Sequence, residues 1–172
     1  MVEMSVDSLK ANLTNPARAY LWEVIIPTIP AGGDADSIML RAQSATKPGK
    51  SVGAIHVPFK QSGGLQFHGK LTYTHTWECT FIEGEDKKIF TAINGWLQKI
   101  VHDYNNVGDG DLAIKSDIYL NLLTTAGEVY QSIKLIGCFP QEVGEVPLSY
   151  DEEATIMYPV TFAYDRWEDR TA

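Results

Sequence analysis

The 172-residue sequence predicts a β-rich α+β fold, in which two packed antiparallel sheets form a sandwich or barrel and one amphipathic helix covers an open end or face. Three observations carry this. Residues 70–81 alternate strictly, with Leu71, Tyr73, His75, Trp77, Cys79 and Phe81 on one side and Lys70, Thr72, Thr74, Thr76, Glu78 and Thr80 on the other. Six looser runs of the same kind are spread along the chain. Between them Ile89, Phe90, Ile93, Trp96, Leu97 and Ile100 recur at the spacings of a single helical stripe.

In chain order, residues 1–18 read as an arm that needs a neighbour to order it. Ala19–Ile26, Ser37–Ala42 and Val52–Phe59 read as strands, and Gly63 with Gly64 as a hairpin tip. Residues 70–81 then form one strand of about 40 Å at ~3.3 Å per residue. Glu85 and Asp86 open the helix where the macrodipole favours anions, and it runs to His102. A loop over Asp103–Asp111 leads to strands at Ile114–Thr124 and Val129–Cys138, joined by a hairpin turn with Gly127 at the tight position. The last run, Thr155–Trp167, contains Pro159, which cannot donate to a ladder and belongs on an edge or at a bulge. The final four residues again look like an arm. One domain over residues 1–172 fits this length.

Charge narrows the function. A net charge of -8 and a pI near 4.9 argue against a broad basic face that grips phosphates. Residues 47–70 nevertheless hold Lys47, Lys50, Lys60 and Lys70 with no Asp or Glu, whereas residues 139–172 hold eight carboxylates against Arg166 and Arg170. Two solvated surfaces of opposite sign are one reading. The other is self-complementarity, with the basic segment of one copy meeting the acidic segment of the next. The opening residues carry no basic-then-apolar leader and no run approaches the length of a membrane span, so neither a signal nor a span is expected.

Catalytic and metal motifs fail their tests. Gly64 to Lys70 imitates the front of a phosphate-binding loop, but Leu71 stands where magnesium needs Ser or Thr, and a strand follows instead of a helix. Asn105–Asp111 has the flavour of a calcium loop without its spaced carboxylates. His56, His68, His75 and His102 form no ligand pair, with His75 expected in the interior and the others at the surface. Cys79 and Cys138 lie far apart and are expected reduced and partly buried. The carboxylates at Asp151, Glu152, Glu153, Asp165 and Glu168 read as surface clusters. No enzyme and no cofactor is expected.

The segment Gly137-Cys138-Phe139-Pro140-Gln141-Glu142-Val143-Gly144-Glu145-Val146-Pro147-Leu148-Ser149-Tyr150-Asp151, followed by Ile156 to Glu168, resembles the tail tube proteins of contractile-tailed bacteriophages. Asn15 to Val24 resembles that family's lead into its first strand. The likeness extends more distantly to inner tubes of pyocins and type VI secretion systems. It implies six copies closing into a ring through a shared barrel, and rings stacking into a tube inside a sheath. The implied partners are further copies of the chain, tail sheath, baseplate and tail-terminator proteins, a tape measure protein in the lumen, and double-stranded DNA passing without sequence recognition. The implied location is the virion tail, assembled in the host cytoplasm. On this reading Lys47, Lys50, Lys60 and Lys70 contact Glu142, Glu145, Asp151, Glu152 and Glu153 of another subunit or ring. Two alternatives stand beside it: a monomeric β-barrel module for a small apolar ligand, and the inner tube of a DNA-free injection device.

Overall fold

A computed structural model describes residues 5–13, 15–60, 62–102, 107–151 and 153–171. Two antiparallel sheets are built around one long strand. That strand, β7 (Val129–Val143), pairs along its first half with β6 (Ser116–Leu123) and β9 (Arg166–Asp169). Strand β1 (Trp22–Ile25) completes the first sheet against β6. The second half of β7 pairs with β8 (Met157–Ala163), which pairs with β5 (Thr76–Ile82), and β5 with β2 (Ala42–Ala45). Strand β7 therefore leaves one sheet and enters the other. The change of direction is at Gly137, whose φ of +69° is a left-handed conformation that side chains resist.

Between the sheets lies a core of Trp77, Phe81, Ile118, Ile133, Leu135, Val160 and Phe162, closed on one side by helix α3 (Lys88–Ile100) through Ile89, Ala92, Ile93 and Trp96. Each large apolar side chain buried this way contributes about 1.5–3 kcal/mol. Both core tryptophans find acceptors for their N–H groups. Trp77 donates to the Thr46 carbonyl at 2.6 Å and Trp96 to that of Ile114 at 2.6 Å, so neither introduces an unpaired donor.

The expected fold class holds, and several elements differ from the expectation. The 70–81 run is two strands. His75 takes a left-handed φ of +59°, ending β4 (Ser62–Tyr73) and letting β5 start afresh in the body. His75 is exposed, not interior; its Nδ1 lies 3.2 Å from the Tyr164 carbonyl oxygen. The other three histidines are exposed as expected. Among the described residues strand β4 pairs only with β3 (Lys50–Phe59). The turn between them falls after Phe59, with Lys60 at φ +42°, and Gly63 and Gly64 sit inside β4.

Ser37–Ala42 is not a strand. Asp34 accepts the Ser37 N–H at 3.2 Å and its hydroxyl at 2.6 Å, a side-chain cap that starts helix α2 (Ala35–Leu40). Short helices also occur at α1 (Val6–Asn12) and α4 (Asp111–Ile114), so α3 is the long helix among several. Helix α3 starts at Lys88 rather than Glu85. The nearly buried Glu83 caps it from outside, accepting the N–H groups of Ile89 at 3.2 Å and Phe90 at 2.7 Å, while Asp86 turns away to hold Arg41. Phe90 lies off the buried stripe and is half exposed. The last run splits into β8 and β9. Pro159 lies in a strand flanked by β5 and β7, and it is tolerated because the β7–β8 ladder reaches only to Val160, the residue after it, so the missing donor falls at the ladder's end, where the Pro159 carbonyl accepts the Gly144 N–H at 2.8 Å. The turn at Gly127 forms as expected, with φ +83° and its N–H donated to the Thr124 carbonyl at 3.0 Å.

Candidate assembly interface

Strands β3 and β4 form a two-stranded ribbon that pairs with no other strand among the described residues, and every residue of β3 is exposed. Its cross-strand register sets Ile55 opposite Phe67 and Val57 opposite Leu65. Alternation then places these four and Phe59 on one face, with Ala54, His56, Gln66 and His68 on the other. All five apolar side chains are 44–62% exposed. An isolated hairpin is marginal in water. This one is anchored at its root, where Trp167 donates to the Gly49 carbonyl at 3.2 Å, meets Tyr73 edge-on at 6.4 Å and lies 4.8 Å beneath the Lys50 ammonium.

The four lysines distribute along this arm. Lys47 is held at its base by Gln131 at 2.7 Å, Lys50 is stacked on Trp167, Lys70 is exposed midway and Lys60 caps the tip. Of the acidic set, Glu142, Glu145, Asp151 and Glu153 are all exposed; Glu152 lies outside the described residues. Within one chain the two sets are not brought together. Among the described residues, ion pairs form instead between Arg41 and both Asp86 and Glu83, Lys88 and Asp34, Lys115 and Asp165, Lys134 and Asp117, and Arg166 and Glu168. The Arg41 guanidinium, with two hydrogen bonds to Asp86, holds that carboxyl down at about 2.

Charge reading missed an apolar component. Residues 144–151 and 153–156 form no strand or helix, and within them Leu148 is 80% exposed and Tyr150 wholly exposed beside the carboxylates. The basic ribbon and the acidic turn thus each combine charge with bare apolar surface. The alternation of Ile55, Val57 and Phe59 was the available signal for the ribbon; nothing periodic marks Leu148 and Tyr150.

Among the described residues Trp77, Trp96, Phe81 and Phe162 fill the space between the sheets with rings 5.5–6.5 Å apart, where a monomeric binding barrel would hold its ligand. Cys79 and Cys138 are unbridged and buried, and desolvation pushes both thiols up to about 12. Among the described residues no group of His, Cys, Asp and Glu is placed to hold a metal ion, and no helix is long and apolar enough to cross a membrane.

The chain thus combines a packed double sheet with an exposed two-stranded arm and bare apolar segments of opposite charge, the surface of a protein that associates through its strands. The chain belongs to the phage tail tube protein family, whose model matches residues 10–170. Among solved structures it is similar to the tube-terminating cap of an anti-feeding prophage, at 18% identity and a TM-score of 0.67 over 92% of this chain and 93% of that one. It is likewise similar to the sheath/tube terminator of an extracellular contractile injection system, at 16% identity and 0.68 over 91% and 98%. A chain from the sheath-tube complex of the same kind of system matches at 15% identity and 0.63 over 99% and 100%. No curated protein matches the sequence.

Proposed function

We propose that the protein assembles into rings that stack as the inner tube of a contractile machine. The carrying observation is the β3–β4 arm, whose five apolar side chains share one exposed face. Such a face is stably covered only by another molecule, and the acidic turn with Leu148 and Tyr150 supplies matching chemistry in every copy. Lys60 and Lys70 would meet Glu145, Asp151, Glu152 or Glu153 of the next subunit or ring, with charge setting register and apolar contact supplying affinity. Sheath, baseplate and terminator proteins are the expected partners, because the similar chains come from a sheath-tube complex, terminators and a baseplate.

Two settings fit such a tube. In a phage tail it would carry double-stranded DNA past a tape measure protein and reside in the virion. In an injection device it would carry no genome, and the solved structures of similar fold favour this setting. Negative-stain electron microscopy at rising protein concentration, with and without pre-formed tube ends as seeds, tests assembly. Rings or hollow rods are expected. Compact monomers throughout, even with seeds, would refute the proposal.

A further inference from the structure

Strand β7 has a different surface feature at each of its ends. Beside its first residues, the segment 15–21 that leads into β1 lies against the turn joining β6 to β7. Two hydrogen bonds fix it there: Asn15 donates to the Thr125 hydroxyl at 3.1 Å, and the Leu123 N–H to the Leu21 carbonyl at 2.9 Å. Between segment and turn is a preformed pocket of about 260 Å³, walled by Pro16, Ala17, Leu21, Leu123 and Tyr130. Arg18 also lines it, and no carboxylate does. The Arg18 guanidinium donates to the Tyr20 hydroxyl at 2.8 Å and is in no ion pair among the described residues.

Past the other end of β7 comes the acidic turn, whose tip is built as a projection. The Asp151 N–H donates to the Ser149 hydroxyl oxygen at 3.2 Å, a local turn that brackets Tyr150. Tyr150 itself is wholly exposed, so its own chain supplies no socket for it. A phenol ring offers a large apolar area with a polar tip, the combination that dominates interface energies when it enters a pocket.

We propose that Tyr150 of one copy seats in the pocket beside Tyr130 of another, with Asp151 pairing to Arg18, as a knob and socket between successive subunits. This rests on the tube reading above and gives Asp151 to Arg18 instead of to the arm. Size fits, because a cavity of roughly 150 Å³ already holds a benzene ring. Charge fits as well: the pocket offers an unpaired guanidinium, and no Lys or Arg occurs between Gln141 and Asp165. Apolar wall for the ring and guanidinium for the carboxylate are two unlike contacts that one orientation satisfies together. Gln131, next to Tyr130, accepts from Lys47 at the base of the arm at 2.7 Å, so pocket and arm root share one end of the molecule. The acidic turn leaves β7 at the other end. Knob and socket at the two ends of one strand make a heterologous contact, the kind that repeats in a growing stack.

The test uses assembled rods of the full chain. With azidophenylalanine, close to tyrosine in size, in place of Tyr150, illumination is expected to cross-link each copy to residues 15–21 or 123–130 of another. Tyr150→Ala should raise the protein concentration needed for rods by about tenfold or more. Tyr150→Phe should stay near wild type, and neither change should move the Tm of the unassembled chain, because the ring is exposed. Arg18→Asp and Asp151→Arg should each raise the threshold, and the two together should bring it back. Cross-links that land on the arm or elsewhere on another copy, or a Tyr150→Ala threshold equal to that of wild type, overturn the knob and socket while leaving the tube intact. Absence of rods from the wild-type chain overturns both.

Discussion

Gly137→Ala tests the idea that one strand can serve two sheets only through a left-handed residue. Glycine adopts the φ of +69° freely, whereas alanine there costs about 1–2 kcal/mol. A second contribution is steric. The added methyl would run into the Asp165 carboxylate, with Cγ 3.0 Å away, and would crowd Lys115 Cδ at 3.4 Å. Moving Asp165 breaks its 2.9 Å contact with Lys115, a loss of about 0–1 kcal/mol because both partners are substantially exposed. The sum is roughly 1–3 kcal/mol. For a chain of this size about 1 kcal/mol lowers Tm by ~2–4 °C, so thermal unfolding of the unassembled protein should fall by about 2–12 °C. Gly137→Ala in an Asp165→Ala background separates the two parts. Relieving the clash should leave a cost of about 1–2 kcal/mol attributable to the backbone alone. An unchanged Tm for Gly137→Ala would refute the reasoning, and a double variant showing no backbone penalty would refute its conformational half.

Three further outcomes are expected. Glu83→Ala uncaps α3 and should destabilise the chain by about 1–2 kcal/mol in urea unfolding, with Glu83→Gln recovering part of the loss through its remaining acceptor. Phe59→Ser with Phe67→Ser should abolish rods in electron microscopy while leaving the Tm of the unassembled chain unchanged, since both side chains contact solvent rather than the core. Cys79 and Cys138 should react with a thiol reagent only under denaturant. Their raised folded pKa of about 12, against 9.0 unfolded, contributes stability that is complete below pH 9 and lost as pH rises toward 12. Cys79→Ala/Cys138→Ala should flatten that alkaline slope in unfolding measured between pH 8 and 11.

Legibility in the sequence followed the range of the interaction that decides each element. The helix stripe of Ile89, Ile93 and Trp96 was visible because burial on one face repeats every turn, and so was the turn at Gly127. The start of α3 was not, because its cap comes from Glu83, five residues before the first helical position, folded back in space. Ser37–Ala42 alternates like a strand yet is mostly helical, because short alternation carries little information beside a side-chain cap such as Asp34. The strand over 70–81 looked continuous because His75 fits the alternation, yet its backbone turns left-handed where the chain passes from arm to body. Charge segregation was plain along the chain, while the bare Leu148 and Tyr150 were not.

Pattern along the chain was sufficient for the β-rich class, for the single long helix, for the opposed charges of the two segments and for the resemblance to tube proteins, since each depends on neighbours within a few residues. Packing in three dimensions decided that β7 belongs to both sheets and that the ribbon stands clear of the body. These depend on which strands pair and in what register. Alternation marks two faces of every strand, and only the partner strands and the core between them decide which face meets solvent.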